Sequence, residues 1–182
     1  MSRFCFDSLK RLRLRYRGLS VKRYRLLALW IILIGAIATS LGYAPTAYAE
    51  NYDKQSLIDV DFSGQDLTDS SFTKANLRSS DLSETNLRGV SFFGANLEGA
   101  TLYGSDLSYA TLDTARFVNA NLTNAILEGA FAFNTKFDGA TIVGADFTDV
   151  LLRRDMQEKL CKAARGTNPT TERSTRDTLE CW

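Results

Sequence analysis

The side chains that most often carry enzyme chemistry are sparse in this 182-residue sequence. It contains no histidine, so neither a Ser-His nor a Cys-His nucleophile can be assembled and no imidazole can bind a metal. The 21 Asp and Glu residues could in principle supply an acid–base pair, but regularly spaced outward carboxylates are more simply interpreted as the solvated surface of a fold. We therefore expect no catalytic centre, no cofactor and no metal site.

Cysteines are the other reactive side chains. Cys161 and Cys181 lie 20 residues apart, which is not the C-x-x-C spacing of redox-active dithiols, and two thiols without histidine are too few to hold a metal. Their chemistry depends on the compartment, because disulfides persist in oxidising environments and are rare elsewhere. The N-terminal region therefore has to be interpreted first.

The N-terminal region has the three parts of a secretory signal. Residues 1–25 carry nine Lys and Arg against a single acid, an unbroken apolar run follows at 26–38, and the small-residue motif Ala47-Tyr48-Ala49 comes next. We predict that residues 1–49 form a signal peptide that is cleaved before Glu50. The remainder of the chain is acidic and would be exported.

Two alternatives for this region stay open. The stretch 26–44 is long enough to span a bilayer, so the segment could be an uncleaved anchor, which would be the chain's only association with a membrane. The basic residues could also bind phosphate groups non-specifically, but directly before an export segment they more often orient insertion. We expect no nucleic-acid partner.

Export determines how the cysteines are interpreted. An even pair in an exported protein is best explained by a structural disulfide between Cys161 and Cys181. A regulatory thiol pair is the alternative. Cys5 would be lost with the signal peptide.

The body of the chain repeats every five residues from Gln55 to Leu152, with a large apolar residue at the centre of each step except Ala132 and, in most steps, a small residue two positions earlier. Helices need a period near 3.6 and strands a period of 2, so this period excludes both. The chain can instead turn a corner every five residues and close a four-sided coil of about 20 residues, giving about five stacked coils. The centres are Leu57, Phe62, Leu67, Phe72, Leu77, Leu82, Leu87, Phe92, Leu97, Leu102, Leu107, Leu112, Phe117, Leu122, Leu127, Ala132, Phe137, Ile142, Phe147 and Leu152.

Several steps share a small–polar–large triplet, as in Ala75-Asn76-Leu77, Ala95-Asn96-Leu97 and Ala120-Asn121-Leu122. This pattern resembles the pentapeptide-repeat family. The resemblance implies an all-β solenoid, a right-handed quadrilateral β-helix, over residues 50–154. Residues 155–182 would form a separate helical cap with a disulfide loop.

The C-terminal tail starts where the five-residue phase stops. Asp155 and Glu158 have the spacing of a helix capping box, and Met156, Leu160, Ala163 and Ala164 would share one face of a short helix ended by Gly166. Such a helix would cover the apolar end of the stack.

The same tail is similar to those of lumenal pentapeptide-repeat proteins from cyanobacteria and chloroplasts, on the residues Leu160 to Pro169 and Thr175 to Cys181. Those tails usually have glycine where this chain has Glu172 and Glu180. The similarity implies a location in the thylakoid lumen, with the periplasm as the second choice.

Aromatic residues stand at positions that the repeat directs outward. Phe93, Tyr103, Phe131 and Phe133 are the candidate protein-contact residues, because apolar clusters on a soluble surface usually mark a contact site. Alternatively, Phe131 or Phe133 could bend inward to fill the space left by Ala132, or the tail could cover the cluster.

The resulting prediction is a non-enzymatic binding, scaffolding or assembly module with a protein partner. Two other classes are less favoured. An acidic rod could mimic duplex DNA, as some members of the family do, but the export signal and the basic side chains Arg78, Arg88, Arg116 and Lys136 argue against it. An enzyme or cofactor carrier is opposed by the missing histidine.

Overall fold

A computed structural model describes residues 49–182. The predicted signal segment up to Tyr48, including Ala47 of the cleavage motif, lies outside the described residues. Ala49 and Glu50, which flank the predicted cleavage point, are exposed at the start of the described chain. Glu50 already belongs to the hydrogen-bond ladder, because Ser71 N donates to its carbonyl oxygen at 2.8 Å.

The repeat region is a stack of four-sided coils held together by parallel bridges between residues 20 apart. Each bridging residue immediately precedes a centre. Leu77 N donates to Asn96 O at 2.7 Å, and Asn96 N returns a bond to Ala75 O at 2.9 Å. The bridges replace long strands, since each side of a coil is only five residues long. One column of bridges runs through Asn51, Ser71, Ser91, Thr111, Phe131 and Leu151.

Corners of the coils use left-handed backbone geometry. The residue two positions after a centre has a positive φ, as at Gly139 (φ 71°) and Asn119 (φ 56°), and this region is reached most easily by glycine and then by asparagine. Asn134, after the small centre Ala132, is an exception to this pattern. Its N–H donates to the carboxylate of Asp113 at 2.9 Å, so this corner is closed by a side chain.

The core is a column of the predicted centres and small residues. The centres from Phe62 to Phe147 are buried, and aromatic rings stack inside the rod, with centroids 4.6 Å apart for Tyr52 and Phe72 and 5.2 Å apart for Phe72 and Phe92. Burying one such side chain contributes about 1.5–3 kcal/mol. Because most steps bury one large and one small side chain, the remaining positions are free to vary.

The tail contains two helices, α1 (Arg154–Ala163) and α2 (Thr175–Thr178). The predicted capping box is wrong. Helix α1 begins before Asp155, its N-cap residue Arg153 receives no side-chain cap, and the Asp155 carboxylate instead accepts a hydrogen bond from Arg153 Nε at 3.1 Å. Glu158 pairs with Arg154 one turn earlier, at 3.4 Å.

Only part of the predicted apolar face of α1 is buried. Leu160 and Ala164 pack against the core and Met156 is half-buried, but Ala163 is exposed. A single antiparallel bridge, between Thr167 and Ser174, connects the segment between the helices. Within residues 49–182, no helix combines the length and the apolar character needed to cross a membrane.

Candidate contact face and tail closure

Large apolar side chains are exposed on one side of the rod. Phe93 is 39%, Phe131 41%, Phe133 49% and Leu151 58% exposed. These four residues are called the aromatic face. Phe131 and Leu151 form a bridge in neighbouring coils, and Phe93 and Phe133 are two coils apart in one column, so the four share one side.

Both alternatives for this cluster fail in the structure. Ala132 is fully buried without either neighbouring phenylalanine turning inward, and the described tail leaves Phe131 and Phe133 uncovered. The reason is local, because the residues immediately before and after a centre are at least partly exposed in most steps of the repeat. The aromatic face is therefore open to solvent.

Tyr103 does not belong to this surface. It is 42% exposed, but it lies ten residues from Phe93, which is half of a 20-residue coil, so it occupies the opposite side of the rod. The four candidate residues therefore divide into one group of three and one separate residue. This division becomes apparent when each residue is assigned to one of the four sides of a coil.

Charged residues flank the aromatic face in the same column as Phe133. Asp113 lies one coil before it and Arg153 follows one coil later. The Asp113 carboxylate accepts one hydrogen bond, from Asn134 N. The Arg153 side chain is about half exposed and uses Nε to bind Asp155.

The tail is joined to itself by its cysteines. Cys161, in α1, and Cys181, after α2, are at disulfide-bonding distance, with Cα atoms 5.6 Å apart. The loop that they close contains most of the tail residues that bond to the rod, and Lys159, which pairs with Asp138 at 3.4 Å, lies just before it. Two hydrogen bonds belong to this closure. Gly144 N donates to the backbone oxygen of Arg165 at 2.9 Å, and Phe147 N donates to the side-chain hydroxyl of Thr178 at 3.1 Å.

Asn168 is the central residue of this closure, and the sequence analysis missed it. Its fully buried side-chain amide donates to the carbonyl oxygens of Gly144 at 2.9 Å and Asn124 at 3.1 Å. Its side-chain oxygen accepts bonds from the backbone N–H groups of Thr170 and Thr171. An Asn-Pro turn was the available signal, but only the fold shows that the amide reaches two successive coils.

Arg173 forms a second connection between tail and rod. Its guanidinium donates to Glu128 at 2.9 Å, to Thr148 at 2.9 Å and to Asp146 at 3.3 Å. Burial of Asp146 opposes ionisation of its carboxyl group. The hydrogen bonds from Thr148, the neighbouring Thr171 hydroxyl and the charge of Arg173 outweigh the effect of burial, so the pKa of the carboxyl is lowered. Asp146 is therefore an ionised group beneath the tail.

Two glutamates of the tail adopt backbone conformations that suit glycine. Glu172 has φ 58° and Glu180 has φ 52°. The similarity to lumenal tails had left the geometry of these turns open, because glycine is usual at both positions. Both turns have left-handed backbone geometry although glutamate stands in place of glycine. This geometry destabilises the folded chain by roughly 1–2 kcal/mol per residue.

The described residues offer no group of three or more Cys, Asp or Glu arranged to hold a metal ion. The carboxylates along the rod instead bond to the hydroxyl and N–H two residues later, as Asp81 does with Ser83. These bonds order the turns of the surface. The arrangement can present a rigid surface to a partner, and the aromatic face is its most distinctive part.

Comparison with known proteins agrees with this architecture. The family model "Pentapeptide repeats" matches residues 56–92, 80–117 and 115–154. These matches together span positions 56–154, more than half of the chain. Proteins with these repeats fold as right-handed quadrilateral β-helices.

Among individual proteins, a pentapeptide repeat protein from the thylakoid lumen of Arabidopsis thaliana has a crystal structure similar to this one. The TM-score is 0.70 at 48% identity, over 71% of this chain and 90% of that one. The thylakoid lumenal 15 kDa protein 1 of the same plant is 62% identical over 37 residues, which are 20% of this chain and 16% of that protein. HetL, from the cyanobacterium Nostoc, matches 57% of this chain and 48% of its own at 24% identity, with a TM-score of 0.33.

Proposed function

Since the chain belongs to the pentapeptide-repeat family, we propose that it is an exported, non-enzymatic binding or scaffolding module of the thylakoid lumen. The observation that carries the binding role is the aromatic face, an exposed group of large apolar side chains on a rod whose other outward positions are mostly polar. Leaving such side chains in water is unfavourable, and burying them in a partner would recover about 25 cal/mol per Å².

The proposed compartment is supported by relatives and by the N-terminal sequence. The relative with the 0.70 TM-score is a protein of the thylakoid lumen, and residues 1–49 have the pattern of a cleavable signal. The cysteine pair at bonding distance fits an oxidising compartment.

We also assign a structural role to the tail. The solenoid comprises about five coils, and residues 155–182 close its last coil through Asn168, Arg173 and the cysteine pair. An uncovered last coil would expose unpaired backbone groups and core side chains. The closure keeps that end from pairing with other chains.

The contact role is tested by cross-linking in the native compartment followed by recovery of the tagged protein. Phe93→Asp combined with Phe133→Asp should abolish partner capture, because it places two charges in the proposed interface. Tyr103→Asp is the matched control, since it adds the same charge to an equally exposed aromatic position on the opposite side. Equal capture by all variants would remove the aromatic face from consideration.

Export and processing are tested by the intact mass of the protein recovered from fractionated cells. A lumenal species that starts at Glu50 and is alkylated at cysteine only after reduction is the expected result. A full-length species with free thiols would contradict export and favour a cytoplasmic role.

A further inference from the structure

The aromatic face has a charge on each side of its centre. In the column that holds Phe133, Asp113 precedes it by one coil and Arg153 follows it by one coil. Stacked coils are about 4.8 Å apart, so the acid lies one coil to one side of the phenylalanine, and the base, which is the N-cap residue of α1, follows on the other side. Rotating this surface by 180° reverses the order of its acid and its base. Two copies in opposite orientations can therefore pair acid with base.

We propose that the aromatic face binds a second copy of this chain, with the two rods antiparallel. A twofold axis that lies in the interface, perpendicular to the rods and at the height of Ala132, places Phe131 opposite Phe131 and Phe133 opposite Phe133 of the second copy. The same rotation brings Asp113 to the height of Arg153 of the second copy, and the reciprocal pair forms by symmetry. The idea rests on the proposed binding function and names its partner.

The charged groups have atoms available for these pairs. The Asp113 carboxylate uses only Oδ1 within residues 49–182, to accept from Asn134 N. Arg153 uses only Nε there, to bind Asp155, which leaves both Nη groups for a second carboxylate. Arginine is well suited to this arrangement because its guanidinium can bind two acceptors at once.

The charge order favours this occupant over other contacts between copies. A parallel side-by-side pair would bring Asp113 to the height of Asp113 and Arg153 to the height of Arg153, so it would pair no opposite charges. Stacking of rods end to end is blocked at the last coil, where Gly144 N and Phe147 N are already bonded to the tail. The antiparallel pair buries Phe131 and Phe133 and matches the charges together.

The face is small, so the dimer should be weak, with a dissociation constant above about 1 μM. Sedimentation velocity over a range of concentrations measures it on the chain as recovered from cells. Wild type should shift from monomer to dimer as concentration rises. Asp113→Arg and Arg153→Asp should each raise the dissociation constant at least tenfold, and Tyr103→Asp should leave it unchanged.

Mixing the two charge variants provides the sharpest test. Each variant opposes like charges in its own homodimer, but Asp113→Arg and Arg153→Asp together give two opposite-charge pairs. The mixture should therefore dimerise about as well as wild type. Recovery of association in the mixture also shows that both variants are folded.

Three outcomes would overturn the idea: a wild-type protein that stays monomeric at its highest soluble concentration, a dimer insensitive to both reversals, or a mixture that does not associate although circular dichroism shows both variants folded. Its failure is distinguishable from failure of the proposed function. If wild type is monomeric but partner capture still requires Phe93 and Phe133, the binding role stands and only the identity of the partner is wrong.

Discussion

Asn168 has more structural partners than any other single side chain of the tail. Replacing it with alanine leaves the buried carbonyl oxygen of Gly144 and the partly buried N–H groups of Thr170 and Thr171 without their partner. An unsatisfied buried group costs about 1–3 kcal/mol, and partly buried groups cost less because water can reach them, so Asn168→Ala should lower the free energy of unfolding by about 2–3 kcal/mol. Urea denaturation measures the loss, and Asn134→Ala, an exposed asparagine, should change it by less than about 0.5 kcal/mol.

The two left-handed glutamates predict changes of the opposite sign. Glu172→Gly and Glu180→Gly remove the strain of a side chain at φ near 55°, partly offset by the greater freedom of glycine in the unfolded chain. Each should raise stability by about 0.5–1 kcal/mol, seen as a higher midpoint of thermal unfolding. Glu158→Gly, inside α1, should instead lower it by about 1 kcal/mol. A lower midpoint for both tail variants would show that their side chains make contacts worth more than the strain.

Asp146 makes the stability of the tail depend on pH. Its pKa is lowered in the folded protein, so its contribution is present above the ordinary carboxyl value of 3.8 and is lost as pH falls through the lower folded value. Wild type should therefore be more stable than Asp146→Asn at pH 6, and the difference should shrink below about pH 4. A difference that is constant from pH 6 to pH 2 would exclude this role.

At the scale of elements, the tail is a closure whose parts depend on the cysteine pair. Breaking the pair with Cys161→Ser and Cys181→Ser should cost on the order of 3 kcal/mol. Hydrogen exchange should locate the effect: the amides of Gly144 and Phe147, which bond to the tail, should lose protection. The amide of Leu82, which bonds to Thr101 O inside the rod, should keep it. Equal loss at all three amides would mean that the rod and the tail unfold as one unit.

Much of the rod could be predicted from its period, whereas much of the tail could not. A buried centre such as Leu97 follows from its place in the step, because the repeat applies the same packing to every residue in that place. The capping box at Asp155 failed because the chain enters α1 from the last coil two residues earlier than the motif requires, with Arg153 as the N-cap. Asn168 was missed because its partners are carbonyl groups of two coils, which have no signature in sequence.

The residues of the candidate site could be predicted from the sequence, but their arrangement in space could be predicted only in part. The outward direction of Phe131 and Phe133 followed from the phase of the repeat. The separation of Tyr103 from Phe93 required the residues to be assigned to sides of the rod, since ten positions along the chain are half a coil. Whether the tail covers the aromatic face depends on tertiary packing, which the structure shows and the sequence does not.

For the whole molecule, the 20-residue ladder predicts which deletions the fold tolerates. Removing residues 61–80 joins two steps in phase and keeps every later residue on its side, so the protein should still unfold cooperatively, with a smaller denaturant m-value because less surface is buried. Removing residues 61–78 places small residues such as Ser80, Thr85 and Ala95 where centres should follow residues 49–60, so that segment should fail to stack in register and stability should fall. Circular dichroism and urea unfolding compare the two deletion variants. Equal stability of both variants would contradict the stacked-coil architecture.

The reach of the tail also bears on the order in which the chain is made. Within residues 49–182 the most distant side-chain hydrogen bonds join positions only 45 and 44 apart, Arg173 to Glu128 and Asn168 to Asn124. A chain that emerges with its N terminus first can therefore complete each coil against the one before it, without waiting for a distant segment. The tail emerges after the coils to which it bonds, so its partners are already made when it folds onto them.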